Sequence, residues 1–238
     1  MKLVIIAAGQ GKRIQSITSD APKTLLKIKG RTLLETLLNN CMHVGILDVV
    51  VVTGYHSNEI VDFIHNLQLD LNIQTVFNPD WNLENGVSIL AAKAKVLANE
   101  TFIVTMSDHF YGPDLLEKVK DTNLGSNIAC VALDFNKYNI FDVDDGMKIT
   151  VEKNNQEKIT GMSKTLDNFN AIDCGVFKCK YSFFKTLDDA RNCGKFSIAE
   201  ACKILIEIGK MSGVNIGNSF WLDVDTPEAF HYLTNTIS

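Results

Sequence analysis

Leu3 to Ala7 is apolar at every position, so both faces of a strand there would be buried, and the segments Asp48 to Thr53 and Thr101 to Met106 have the same texture. Runs of this kind suit strands of a parallel sheet covered by helices on both sides. Between them apolar residues recur at three and four: Leu33, Leu34, Leu37, Leu38 and Cys41; then Ile60, Phe63, Ile64 and Leu67; then Val87, Leu90 and Lys93 to Leu97. Those spacings predict amphipathic helices and a β-α-β-α-β-α-β first half.

The period changes after Cys130. The segment MKITVEKNNQEKITGM reads as two alternating stretches around the polar turn Lys153-Asn154-Asn155-Gln156, an antiparallel hairpin, with a further strand near Ile172 to Phe177. Helices are expected near Tyr181 to Asp189, near Ser197 to Lys210, and after Thr226, which can cap a helix that has Pro227 at its first position. The fold class is therefore α/β: a doubly wound, mostly parallel mixed sheet flanked by helices, with a small antiparallel β insertion. With no repeat, low-complexity tract or linker, residues 1–238 read as a single domain.

Composition narrows the function. The chain has 238 residues, 46% of them hydrophobic, and a formal net charge of −5 with acids and bases interspersed, which argues against a nucleic-acid partner or an anionic membrane surface. The apolar start is too short for a secretory signal, and no run approaches a membrane span, so a soluble protein is expected. Six cysteines without a C-x-x-C pair suit reduced thiols and a cytoplasmic location, and give no zinc-ligand spacing.

The first strand runs into Gly9, Gly11, Lys12 and Arg13. Ile14 stands where a dinucleotide fingerprint needs its third glycine, no acid closes the second strand, and the P-loop spacing is absent. What survives is a glycine turn into two cations, suited to holding a polyphosphate, although an ordinary strand-to-helix turn would look the same over this stretch alone. Pro22-Lys23 adds another cation on a stiffened backbone. Asp108 follows the strand Thr101 to Met106, at the sheet edge where open α/β folds carry ligands. Asp223 and Asp225, two apart, would share one face of an extended segment, with Leu222 and Val224 on the other. Such carboxylates suit Mg²⁺; His109 reads as a hydrogen-bonded neighbour rather than a ligand. No nucleophile elbow or catalytic triad is present, so cations plus acids point to direct phosphoryl-type displacement.

Taken in order, AAGQGKR, PKTLLKIKGRTLLE, NPDWNLENGVSIL, MSDHFY and WLDVDTPEAF resemble the nucleotidyltransferases that join a nucleoside triphosphate to a phosphorylated small molecule, over nearly the whole chain. Within that family NPDWNLENGVSIL, Asp108-His109, WLDVDTPE, the hairpin lysines and FNAIDCGVF look most like the cytidylyltransferase branch, particularly the inositol-1-phosphate cytidylyltransferases. Phosphocholine and phosphonate cytidylyltransferases, sugar-1-phosphate transferases using another triphosphate, and a non-catalytic nucleotide-binding regulator are the alternatives. The resemblance implies a Rossmann-like nucleotidyltransferase fold with a nucleotide-binding part (1–125) and an acceptor-binding part (126–238). It implies that Ala7, Ala8, Gly9 and Gly11 hold the nucleotide, that Arg13 and Lys23 act on its phosphates, and that Asn85, Gly86 and Ser88 line the base and ribose pocket. Asp108 with Asp225, and Asp223 as the alternative, would bind Mg²⁺. Lys148, Lys164 and Asp173 would meet the acceptor. The implied partners are CTP and a small phosphorylated or phosphonate acceptor; the oligomeric state stays open, a homodimer included.

Overall fold

A computed structural model describes residues 1–137 and 140–237. Its strands, in chain order, are β1 (Lys2–Ala7), β2 (Lys27–Ile28), β3 (Arg31–Thr32), β4 (Asp48–Thr53), β5 (Asn72–Phe77), β6 (Thr101–Met106), β7 (His109–Tyr111), β8 (Ala129–Asp134), β9 (Lys148–Glu152), β10 (Asn155–Ser163), β11 (Ala171–Lys180), β12 (Met211–Asn215) and β13 (Trp221–Asp223). Nine of them form one sheet in the order β5-β4-β1-β6-β11-β8-β12-β10-β9. β1, β4, β5 and β6 are mutually parallel, and β11 runs antiparallel to β6, β8 and, at its start, β9.

The uninterrupted apolar runs explain this layering. Along β1, Val4 and Ile6 point into one core while Leu3, Ile5 and Ala7 point into another, and β4 divides its valines the same way. After the short helix α1 (Gln15–Thr18), helices α2 (Leu33–His43), α3 (Ser57–Asn66) and α5 (Pro113–Asp121) cover the second face through Leu34, Leu37, Leu38, Ile60, Ile64, Leu115, Leu116 and Val119. The first face carries α4 (Asn85–Ala91), α6 (Phe183–Asn192) and α7 (Ile198–Glu207). Each fully buried Leu, Ile or Phe contributes about 1.5–3 kcal/mol of apolar transfer, so a strand covered on both faces is held far more firmly than an edge strand.

Several elements depart from the periodicity. The helix expected to continue through Lys93 to Leu97 stops at Ala91, and only a 3-10 turn at Lys93–Lys95 follows. β5 at the sheet edge is half-exposed along its length, which is why it lacks the apolar run of its neighbours. β8 and β12, which the alternating pattern does not single out, are fully and largely buried, respectively. The hairpin is formed as expected by β9 and β10, with irregular register, and Thr226 caps α8 (Pro227–Thr236) by accepting from Ala229 N–H.

Candidate functional site

The chain leaves β1 for β4 and β5 on one side and returns at β6 on the other. The loops after β1 and β6 therefore part at the carboxyl edge of the sheet, leaving the crevice that open α/β sheets use for ligands. The loop after β1 turns at Gly11, in the left-handed region with φ +63°; a Cβ there would stand 3.0 Å from the Lys23 Cβ. Glycine thus lets the loop lie on the Lys23 side chain. Gly9 has nothing within 4 Å of its missing Cβ, which leaves open space on that side.

Asp108 and Asp225 are brought together by main-chain pairing. β7 pairs antiparallel with β13, setting His109 opposite Asp223 and Phe110 opposite Leu222, and Val224 N–H donates to Asp108 C=O at 2.9 Å. Leu222 and Val224 bury in a third core, with Ile14, Ile28, Leu33, Ala229 and Leu233, while Asp223 and Asp225 turn to the crevice. The alternation of two explains the whole arrangement: one face of the segment anchors it and the other presents acids.

Around these acids the charges alternate. Lys23 donates to Asp108 at 2.5 Å and to Asp225, and Arg13 donates to Asp225 and, at 2.6 Å, to Asp145. The Asp145 carboxylate also accepts from Lys164 at 2.9 Å. Burial would lower the Lys23 ammonium, but the Asp108 and Asp225 carboxylates raise it above its usual range. Burial likewise acts to raise Asp108, and Lys23 with His109 overrides it, holding that carboxyl well below the carboxylate range. Asp223 is pushed up to about 7, chiefly by burial, with the Asp108 and Asp225 charges adding to it against His109 and Lys23.

His109 packs more tightly than a neighbour role requires. Its Nδ1 is 2.9 Å from Asp108 and 4.0 Å from Asp223, and a Cβ on Gly175 would come within 2.4 Å of the ring. Burial would keep the imidazole neutral, but Asp223 and Asp108 raise it to about 9, so it carries charge at neutral pH.

Two cavities meet here. The smaller, about 330 Å³, is lined by Ala7, Gly9, Gly11, Lys23, Ser88 and Asp108 among others. The larger, about 540 Å³, is lined by Asp145, Lys164, Asp173 and Trp221 among others. Asn85, Met106, His109, Asp223 and Asp225 line both. Ala8 lies outside these linings, buried, its carbonyl accepting from Tyr55 N–H at 3.0 Å. Arg13 stands beside the cavities, tied to the shared Asp225. Asn85 accepts from Ile198 N–H at 2.9 Å, and the backbone that approaches Gly86 closely is that of Phe196 and Ser197, so Gly86 serves helix packing. Asp173 accepts from Gly175 N–H at 2.7 Å, and burial pushes it up to about 6.

The two hairpin lysines part company. Lys164 lines the larger cavity, whereas Lys148 is absent from its lining and stands 5.5 Å over the Phe169 ring. Asp145, Trp81 and Trp221 join the cavities without having been singled out by the sequence. Asp145 lies in the acid run Asp142 to Asp145 before Gly146, which reads as a solvated turn until the fold carries it back to Arg13.

The donor set fits a hard divalent cation. The Asp108 and Asp223 carboxylates each bring an oxygen within 4.8 Å of the other, with the charged His109 beside both as a neighbour rather than a ligand, and Asp223 Oδ1 is buried without a hydrogen-bond partner. An ionised carboxylate oxygen left so is costly unless a cation meets it.

The bifunctional IPC transferase and DIPP synthase of Aquifex aeolicus (strain VF5) is 30% identical over 241 residues, covering 98% of this chain and 52% of that protein. The chain spans about half the length of the curated relatives it matches. Among solved structures, the inositol-1-phosphate CTP transferase from T. maritima superposes with TM-score 0.84 at 20% identity, covering 100% of this chain and 97% of that one. A putative glucose-1-phosphate thymidylyltransferase from Bacillus anthracis, in complex with a sucrose, gives TM-score 0.85 at 16% identity, covering 100% and 96%. The doubly wound sheet is thus the fold of these proteins, and the nucleotidyl transferase family pattern matches residues 2–238: the chain belongs to the nucleotidyl transferase family.

Proposed function

We propose that this chain is a Mg²⁺-dependent cytidylyltransferase that transfers CMP from CTP to a small phosphorylated acceptor, inositol-1-phosphate or a close analogue, with release of pyrophosphate. The observation that carries the reading is the junction of the two cavities at one cluster of acids and cations, Asp108, Asp223, Asp225, Lys23 and Arg13. A two-substrate transfer between phosphates needs such a junction. The curated relatives at 30% identity, both named as IPC transferases, support this reading. Free cysteines, five of them buried, agree with a reducing cytoplasm, and among the described residues no helix is long and apolar enough to cross a membrane.

In this reading the acceptor lies in the larger cavity with its phosphate toward Lys164, and CTP lies in the smaller, over Gly9 and Gly11. An acceptor oxygen attacks the α-phosphorus in line; a new P–O bond forms as the bond to the leaving pyrophosphate breaks. A phosphate monoester is mostly ionised at neutral pH, its second pKa being about 6, so no strong general base is needed. Arg13 and Lys23 offset charge on the leaving pyrophosphate. Asp108 and Asp225, with Asp223 beside them, would hold Mg²⁺, which supplies charge neutralisation on phosphate oxygens when bound.

The test is a pyrophosphate-release screen crossing four nucleoside triphosphates with inositol-1-phosphate, phosphocholine, 2-aminoethylphosphonate and hexose-1-phosphates. CTP with inositol-1-phosphate should turn over fastest. A preference for another triphosphate and a hexose-1-phosphate would transfer the protein to the sugar branch, and nucleotide binding without turnover in every pair would make it a regulator.

A further inference from the structure

Asp145 has no part in the reaction just described, yet its carboxylate sits between one cation assigned to each substrate. Oδ2 accepts from Arg13 at 2.6 Å and Oδ1 from Lys164 at 2.9 Å. Arg13 belongs to the turn after β1, 132 positions away, and Lys164 follows β10, 19 positions away. The residue itself belongs to the turn that enters β9, where Gly146 lies against Ile172. It faces the larger cavity together with Lys164. From it an alternating chain of charges runs unbroken: Lys164, Asp145, Arg13, Asp225, Lys23, Asp108.

We infer that Asp145 is an internal stand-in for substrate phosphate, which couples the two substrate sites through the cations it shares. A phosphate dianion that engages Lys164 brings two negative charges beside the Asp145 carboxylate, and like charges at such range repel. Asp145 then leaves the bridge, and the Arg13 donor it occupied becomes available to the nucleotide's phosphates. The same exchange runs in reverse when the nucleotide arrives first. Binding of either substrate thereby tightens binding of the other, as linkage requires. Both ion pairs are partly exposed, Arg13 by 49% and Asp145 by 40% at the side chain, so solvent screening keeps the coupling modest. Because the carboxyl is held below its usual range by hydrogen bonds from Arg13 and Lys164, it stays an anion throughout the neutral range.

This inference rests on the proposed assignment of substrates to the two cavities. Its test is calorimetric titration of the full chain with Mg²⁺ and the unreactive α,β-methylene analogue of CTP, with and without inositol-1-phosphate, in wild type, Asp145→Asn and Asp145→Glu. In wild type the acceptor should tighten nucleotide binding about threefold or more. Asp145→Asn should bind each ligand alone about threefold more tightly than wild type and lose the mutual enhancement, while Asp145→Glu restores it. Weaker binding of each ligand by Asp145→Asn, or an enhancement that survives the substitution, overturns the inference. A wild-type chain that binds neither probe defeats the cytidylyltransferase reading instead, so the two failures are distinct. Thermal melting of Asp145→Asn within a few degrees of wild type shows that the binding change is not a folding defect.

Discussion

The two sides of the site are built by different means. On the proposed nucleotide side Gly9, Gly11 and Asp108 sit at, or one turn beyond, the carboxyl ends of strands buried on both faces, β1 and β6, and Lys23 is held against Asp108 by an ion pair. On the proposed acceptor side Asp145 and Lys164 come from turns flanking a hairpin with irregular register, before β9 and after β10, and only Asp173 stands on a buried strand, near the start of β11. A side chain set by the end of a packed strand inherits that strand's rigidity, and a side chain set by a turn is held by its partners alone. Under the proposed function, the chemistry would rest on rigid, charge-dense positioning and the choice of acceptor on more adaptable positioning.

If that division holds, substitutions on the nucleotide side should act on kcat and those on the acceptor side on KM. The largest effect is expected for Asp108→Asn: pyrophosphate release should fall about 10³-fold with an unchanged circular dichroism spectrum. Near wild-type turnover would remove Asp108 from the chemistry. Lys23→Ala should lower kcat about 10²-fold. It should also lower the melting temperature, because Asp108 and Asp225 lose the buried cation they share and Asp108 keeps only His109.

Across the cavity, Lys164→Ala should raise the acceptor KM about tenfold, the equivalent of about 1.4 kcal/mol, with kcat within about twofold of wild type. Lys148→Ala should leave both constants nearly unchanged, since its ammonium lies over Phe169. Steady-state kinetics on the pair decides whether the hairpin contributes one phosphate contact or two.

The smallest effect concerns pH. Burial raises Asp173 to about 6, so between roughly pH 4 and pH 6 the folded chain retains a proton that the unfolded chain has lost. Stability should therefore fall as pH rises through that window, and Asp173→Asn should flatten this part of the slope in urea titrations. A slope that is the same in both proteins would show that Asp173 is freely solvated.

The same division governs what could be read from the sequence. Apolar runs and helical spacing reveal β1, β4, β6 and the helices against them because burial on both faces leaves no other pattern. Asp108 is legible because it stops such a run, and Asp223 and Asp225 because two-residue alternation sets them opposite Leu222 and Val224. β12 is not legible because Met211-Ser-Gly-Val-Asn carries too few apolar residues to form a run, and takes its place through pairing with β8 and β10. Asp145 could not be picked out from the neighbouring Asp142 and Asp144: its importance is a relation to Arg13, 132 positions away, that no local pattern encodes. For Lys148 and Lys164 the sequence offers two equivalent strand-end cations, and only the turn of the backbone separates them.

The β7–β13 ribbon makes spacing matter more than residue type along Trp221 to Asp225. Main-chain bonds fix where each position falls, so a one-residue insertion or deletion there would swap the two faces. The carboxylates would be driven into the oily layer around Ile14 and Leu233, and the leucine and valine would take their place over the crevice. Most surface connections absorb changes of length easily; this stretch should behave as a ruler whose gradations cannot be renumbered.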